Sequence, residues 1–346
     1  MKNARTGGEP GTDGRHGHAA AAGRDLGFWQ RNPGLIPPMG LLVPLVLLAV
    51  LIYLVNPVFL DGRNLFNVFR QIAIFLILGA GMTVVIAARG IDLSVGSTVA
   101  LSACVAGVIL KSGTPLPAVL AVAGALGVGA AVGAVNGFAV TRFRVPPLIV
   151  TLGALTAVRG LAYLVMGSNQ VRGFPDSFLW IGQGRVFGLP VAGLIALGVV
   201  LLVAYLMNGT RFGKYILAVG GDRSAAVRAG IRDERYEMGA YVICGTLAGL
   251  AGAMLAARLD AAQAVLGATM ELHAIAVVVL GGTYLFGGYA TLLGTFLGAV
   301  FLGVAENGLL LMNVPFYWQQ IVIGSALVIA VAIQLFRFRR QGMVGR

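Results

Sequence analysis

Residues 210–237 read TRFGKYILAVGGDRSAAVRAGIRDERYE, and no other internal stretch of the chain is so densely charged. It carries six Lys/Arg (Arg211, Lys214, Arg223, Arg228, Arg232, Arg235) and four acids (Asp222, Asp233, Glu234, Glu237). Both flanks are apolar over the roughly 20 residues that a helix needs to cross a bilayer. A segment this charged cannot lie in hydrocarbon, so it must face water or a protein partner. A membrane chain with one large charged loop is read as driven or regulated through that loop, here residues 208–237.

Working outward, the composition agrees. Of 346 residues, 58% are hydrophobic and only 11% charged. A soluble domain would carry about 25% charged residues, so the chain falls in the membrane class. Ten apolar spans can be drawn: 38–56, 65–88, 93–110, 116–140, 147–166, 189–207, 238–257, 270–287, 291–311 and 317–336. The expectation is an all-α polytopic membrane helix bundle of about ten transmembrane helices over 38–340. The glycine-rich runs 93–110 and 270–287 are candidates for short, broken or re-entrant segments. The 51 glycines, many of them inside apolar runs, favour close helix packing. Cys104 and Cys244 fall inside spans and read as small packing residues.

The basic residues orient the spans. With the N-terminus in the cytoplasm, eighteen of the 25 Lys/Arg lie on the cytoplasmic side and five outside. This positive-inside asymmetry predicts an even number of spans and two cytoplasmic termini. Residues 1–37 are polar, basic and glycine-rich, and read as a disordered cytoplasmic tail; 341–346 form a second tail. His16 and His18 lack further ligands, so no metal site is expected there. The bases line the ends of apolar runs rather than one face, which excludes nucleic acid as a partner. The outer connection 167–188 is either a landing surface for an external partner or a plain surface loop, with Phe178 and Trp180 placed for the membrane interface.

Motors and catalytic centres are missing from the sequence. There is no GxxxxGK[ST] loop, and Gly209–Lys214 has the wrong spacing. HExxH, GxSxG and Cys/His clusters are absent too. The chain is therefore read as neither an enzyme nor a cofactor protein, but as one driven by an ion gradient or by a partner. Within the island, Asp222 is placed to cap a short helix over 223–229, and Gly230 to end it. So short a helix is unstable alone in water. It either docks into something or is simply a solvated loop.

Polar groups inside spans are candidates for the translocation path: Asp92, Asn136, Arg159, Glu306 and Asn307. Asp92 also reads as the cap of a helix starting at Leu93. Arg159 calls for the bundle interior, a cavity or a carboxylate, and Glu306 is either an arginine's partner or a pore-lining group. Arg70 reads as snorkelling, and His273 as a satisfied interface residue. Residues 85–96 and 278–288 share one shape, an apolar run, a glycine break and a second run.

Several strings together carry a family resemblance: GIDLSVGS (90–97), NGFAVTRFRVPPLIVTLGALTAVRGLAY (136–163), GKYILAVGGDRSAAVRAGI (213–231), AGLAGAMLAAR (248–258), ELHAIAVVVLGGTYLFGGYATLLGT (271–295) and NGL (307–309). In this order and spacing the chain resembles the permease subunits of bacterial ABC sugar importers of the ribose/xylose/galactose type, over roughly residues 40–340. The resemblance implies a permease of the bacterial inner membrane working as a homo- or heterodimer. It also implies a separate ATP-binding subunit with two fused ATPase halves and an extracytoplasmic sugar-binding protein. It makes the segment containing Gly220, Gly221, Asp222, Arg223, Ala225, Ala226, Arg228, Gly230 and Ile231 the part that fits a cleft on the ATPase. Ala88-Arg89 stands where the family has a glycine-rich approach to Gly90. The rival expectation is an ion-gradient-driven secondary transporter of a small polar solute.

Overall fold

The computed structural model describes residues 40–340. The two expected tails, with His16 and His18, lie outside the described residues. Ten helices meet the ten apolar spans: α1 (Leu42–Val55), α2 (Gly62–Ala87), α3 (Val95–Lys111), α4 (Pro117–Arg142), α5 (Pro147–Met166), α7 (Val191–Gly209), α10 (Asp233–Leu259), α11 (Met270–Leu280), α12 (Leu292–Leu311) and α13 (Phe316–Arg340). Between them lie three short helices, α6 (Asp176–Gln183), α8 (Arg211–Gly221) and α9 (Arg223–Arg228). Strands among the described residues are two residues long, β1 (Val171–Arg172) with β4 (Ala261–Ala262) and β2 (Arg185–Val186) with β3 (Leu189–Pro190), both pairs antiparallel. Among the described residues, six helices are long and apolar enough to span a membrane, and α1, α3, α11 and most of α13 are shorter apolar helices. The protein is an all-α membrane bundle.

Burial separates the helices into two classes. α2 and α10 are buried along most of their length, while α4, α5 and α7 leave wide apolar faces exposed. The most extensive helix–helix contact is between α4 and α10. Gly129, Gly133 and Gly137 recur every four residues on α4 and meet Gly245, Tyr241 and Met238 of α10 backbone to backbone. A Cβ at Gly129 would sit 2.1 Å from the Gly245 carbonyl oxygen, so only glycine permits this contact. Without a hydrophobic force between helices in lipid, such small-residue seams are a main source of association. Cys104 and Cys244 are buried and free.

The connections sort into two ends, as chains crossing back and forth require. At one end the turn after α2 meets the turn after α11, where Gly288 N donates to Ala87 O at 3.1 Å and Arg89 Nε to Phe286 O at 3.0 Å. The two runs of matching shape, 85–96 and 278–288, thus pack on each other at their glycine breaks. This is the basic end. At the other end β1 pairs with β4, Phe174 N donates to Asp260 Oδ1 at 2.8 Å, and Asn56 Nδ2 donates to Leu311 O at 3.0 Å.

The structure corrects several expectations. The span drawn over 270–287 is helical only to Leu280, because Gly282, Gly287 and Gly288 all take positive φ and break it. α3 begins at Val95 rather than Leu93. α10 begins at Asp233, five residues before the expected span, because the acids of its first turn favour the helix N-terminus and are held by arginines. Phe178 is fully buried instead of interfacial: α6 turns Phe178 and Gly182 toward the bundle, and Phe178 packs edge-on against Phe174. Trp180, on the other face, is half exposed.

Candidate functional site

At the basic end the island folds into two helices and a sharp bend. Asp222 takes an extended conformation and caps α9, its Oδ1 accepting from Ala225 N at 2.9 Å and from Ser224 Oγ at 2.7 Å. Those donors hold the Asp222 carboxyl below the ordinary carboxylate range, the Ala225 amide contributing most. The far end closes as a Schellman motif. Gly230, at φ +83°, donates to Val227 O at 2.9 Å, and Ile231 N donates to Ala226 O at 3.0 Å. The expected cap and stop are therefore where the sequence put them.

Alone, a six-residue helix would melt. This one is tied down on two sides. Arg223 donates through Nε to Asp233 Oδ2 at 2.6 Å and through Nη2 to Glu237 Oε2 at 3.0 Å. Arg144, from the turn between α4 and α5, reaches the same Asp233 Oδ2 and Glu234 Oε1, each at 3.1 Å. Two arginines and three carboxylates thus join α9, α10 and the α4–α5 turn. On the other side, Gly220 lies against the end of α2, where a Cβ would fall 1.8 Å from Ala87 O and 2.7 Å from Gly288 N. Of the segment's residues, Ala226 is buried, while Ala225, Val227, Arg228 and Ala229 face outward. The outward face combines apolar Ala225, Val227 and Ala229 with the Arg228 base, and Tyr215, Arg232 and Arg235 line a hollow beside Gly230.

The five path candidates do not form one file. Asp92 and Asn136 come together in a buried brace between the turn before α3 and the last third of α4. Asp92 Oδ1 accepts from Ser94 N at 2.9 Å and Ser94 Oγ at 2.6 Å, and Asn136 Nδ2 donates to Ser94 Oγ at 2.8 Å. Asp92 therefore fixes the turn before α3 instead of capping a helix from Leu93. Asn307 makes a reciprocal amide pair with Asn64 of α2, at 2.9 and 2.8 Å. Arg159, for which the bundle interior, a cavity or a carboxylate was expected, turns to backbone carbonyls inside the bundle: Nη1 donates to Ala264 O and Leu266 O, each at 2.7 Å. The segment that offers them, 260–269, dips back into the bundle, since Gly267 and Glu271 also press on Gly96 near the start of α3.

Glu306 has a different environment. It is buried, accepts from Gln71 Nε2, and lies 2.8 Å from His273 Nε2. His273, buried rather than interfacial, stacks on Phe75 at 5.2 Å. Glu306 thus pairs with a histidine and a glutamine, not an arginine. Gln71, Gln319 and Gln320 escaped the sequence reading, and nothing in it placed Arg258 or His273 beside Glu306, because each looks unremarkable until α2, α10, α11, α12 and α13 converge. Arg70 donates to Gln183 O at 2.8 Å at the chain's exposed surface, as a snorkelling side chain would.

Residues 64–331 match the family model described as branched-chain amino acid transport system / permease component. The chain belongs to this permease family. The permease is 42% identical over 297 residues to ribose import permease protein RbsC of Escherichia coli strain K12, covering 84% of this chain and 92% of that one. It is 35% identical over 275 residues to D-allose transport system permease protein AlsC of the same strain, covering 80% and 84%. It is 33% identical over 317 residues to L-arabinose ABC transporter permease protein AraH of Azospirillum brasilense, covering 90% of each. No solved structure matches the permease. Its relatives are permease subunits of import systems, and its apolar helices make it a multi-pass membrane protein.

Proposed function

We propose that this chain forms the membrane path of an ATP-driven ABC importer for a monosaccharide handed over by an extracytoplasmic binding protein. Two permease copies pair in the bacterial inner membrane, with both termini and the basic end in the cytoplasm. A separate ATP-binding subunit receives the segment Gly220–Ile231. The observation that carries this reading is the tethering of α9: a capped six-residue helix locked by Arg223 and Arg144 to α10 and the α4–α5 turn, and through Gly220 to the end of α2. A push on its outward face, Ala225 to Ala229, moves α10, the α4–α5 turn and the end of α2 together rather than bending a loop. ATP binding and release thereby rock the bundle between two arrangements, and the path alternates its opening. The names of the relatives support sugar as the cargo class.

The test is vesicle uptake of radiolabelled D-ribose, D-allose and L-arabinose by the chain co-expressed with its candidate ATPase and binding protein. Uptake of at least one sugar that needs ATP and survives an uncoupler supports the proposal. Uptake that persists without ATP and collapses with the uncoupler overturns it in favour of a gradient-driven carrier.

A further inference from the structure

We infer that the cavity around Glu306 and His273 is a sugar-binding subsite on the path, at the end of the bundle opposite the coupling segment. The inference rests on the importer reading above and adds to it the residues that touch the cargo. The cavity measures about 290 Å³ and lies between α2, α10, α11, α12 and α13. Its polar wall is Gln71, Arg258, His273, Glu306, Gln319 and Gln320. Phe75 and Ile323 supply an apolar wall facing it.

Three features point to a neutral polyhydroxyl ligand. First, the wall mixes donors and acceptors, with one carboxylate balanced by arginine and histidine, so neither an anion nor a cation is favoured. A monosaccharide presents the same mixture in its hydroxyl groups and a C–H face for an aromatic wall. Second, Glu306 is buried and meets one donor at each oxygen, Gln71 Nε2 at Oε2 and His273 Nε2 at Oε1, 2.8 Å away. A carboxylate offers about four acceptor sites, so further lone pairs face the cavity. A sugar hydroxyl is a donor that fits them. Third, the histidine is held in place. Its Nδ1 contacts Thr269 O at 2.8 Å, an acceptor-only carbonyl, so Nδ1 carries a proton. The stack on Phe75 fixes the ring plane. The Glu306 carboxylate is thereby presented in one orientation, on helices rather than loops, as a selective site requires.

The experiment uses the assembled importer in proteoliposomes and, of D-ribose, D-allose and L-arabinose, the sugar with the fastest wild-type uptake. Glu306→Gln and Gln320→Leu are compared with wild type for uptake, complex assembly and ATP hydrolysis stimulated by the loaded binding protein. Losing one buried hydrogen bond to a charged group predicts roughly tenfold slower uptake for Glu306→Gln, with assembly and stimulated hydrolysis within about twofold of wild type. A second readout covers a folding defect. In a Gln320→Cys variant, a bulky membrane-impermeant thiol reagent should block uptake, and the sugar should slow its reaction. Wild-type uptake by both polar variants overturns the subsite. So does a labelled Gln320→Cys variant that still transports, whether or not Glu306→Gln assembles. If wild type transports none of the three sugars, it is the importer reading that fails.

Discussion

Arg223 Nε stands 2.6 Å from Asp233 Oδ2, so the first residue of α9 is bonded to the first residue of α10 ten positions on. The same arginine reaches Glu237 one turn along α10, and Asp233 is shared with Arg144. Arg223→Gln should therefore detach the lever without unfolding the bundle. Its side chain is 37% exposed, and Asp233 keeps Arg144. Solvent screening then limits the loss to about 1 kcal/mol, well below the cost of breaking a fully buried pair. The expected outcome is a stably inserted protein whose ATP-driven uptake drops several-fold. Uptake equal to wild type would show that the tie does not carry the stroke.

Gly220 and Gly221 make a matched pair for a second test. A methyl group at Gly220 meets Ala87 O at 1.8 Å, a backbone atom that cannot step aside, whereas at Gly221 the nearest atom is 3.9 Å away. Gly220→Ala should abolish coupling and lower the melting temperature in detergent; overpacking of this kind costs about 1–3 kcal/mol or more. Gly221→Ala should transport normally. Similar behaviour of the two variants would mean that the α8–α2 contact is not as close as described.

The acid at the α9 cap gives a pH expectation. Hydrogen bonds from Ala225 N and Ser224 hold the Asp222 carboxyl below its ordinary value. A lowered folded-state value means that the charged cap stabilises the helix above the unfolded Asp range, near 3.9, and that this contribution is lost as pH falls through the lower folded value. At pH 7 the cap is fully formed. Asp222→Asn should keep it, since the amide oxygen still accepts from Ala225 N, while Asp222→Ala should speed amide exchange across 225–231. Unchanged exchange in Asp222→Ala would mean that the Schellman closure and the Arg223 ties hold α9 without the cap.

Much of this fold was legible in the sequence, and the misses have physical causes. Apolar length alone located the spans, because a bilayer demands it. Asp222 and Gly230 announced α9, because capping chemistry is local. Segment 260–269 carried no signal, since nothing in its residues shows that Ala264 and Leu266 turn their carbonyls to Arg159, more than a hundred positions away. Glu306 was recognised as costly inside a span. Its partners, Gln71 and His273, come from two other helices, and no spacing rule links residues that meet only through tertiary packing. Phe178 was misplaced because an aromatic at a span boundary fits both an interface belt and a core; the amphipathic turn of α6 decided for the core.

Asn64 and Asn307 test whether Asn307 belongs to the path. Their reciprocal amide pair joins α2 to α12 at the end opposite the island. Asn64→Leu orphans the Asn307 amide, whereas Asn307→Leu leaves Asn64 its bond to Phe59 O; each change should cost about 1 kcal/mol, as interhelical hydrogen bonds in membranes do. Replacing both should cost less than the sum of the single changes, a coupling that a double-mutant cycle in detergent would measure. Uptake should survive in the double variant. Its loss with full stability would return Asn307 to the path.

Arg159 closes the account of the interior charges. Its Nη1 serves two carbonyls of segment 260–269, and Gly267 of that segment packs on Gly96. Arg159→Leu leaves both carbonyls without this donor, at roughly 1–3 kcal/mol for each unsatisfied group. Segment 260–269 should then loosen, and with it the start of α11 that carries His273 toward Glu306. Melting of the detergent-solubilised protein should fall, and uptake should fall with it. Arg159→Lys should recover part of the stability, because an ammonium can still donate to both oxygens, though its shorter reach and single point of charge hold them less well. A fully stable and active Arg159→Leu variant would mean that backbone packing against Gly96 suffices to hold the segment, and that the arginine contributes little there.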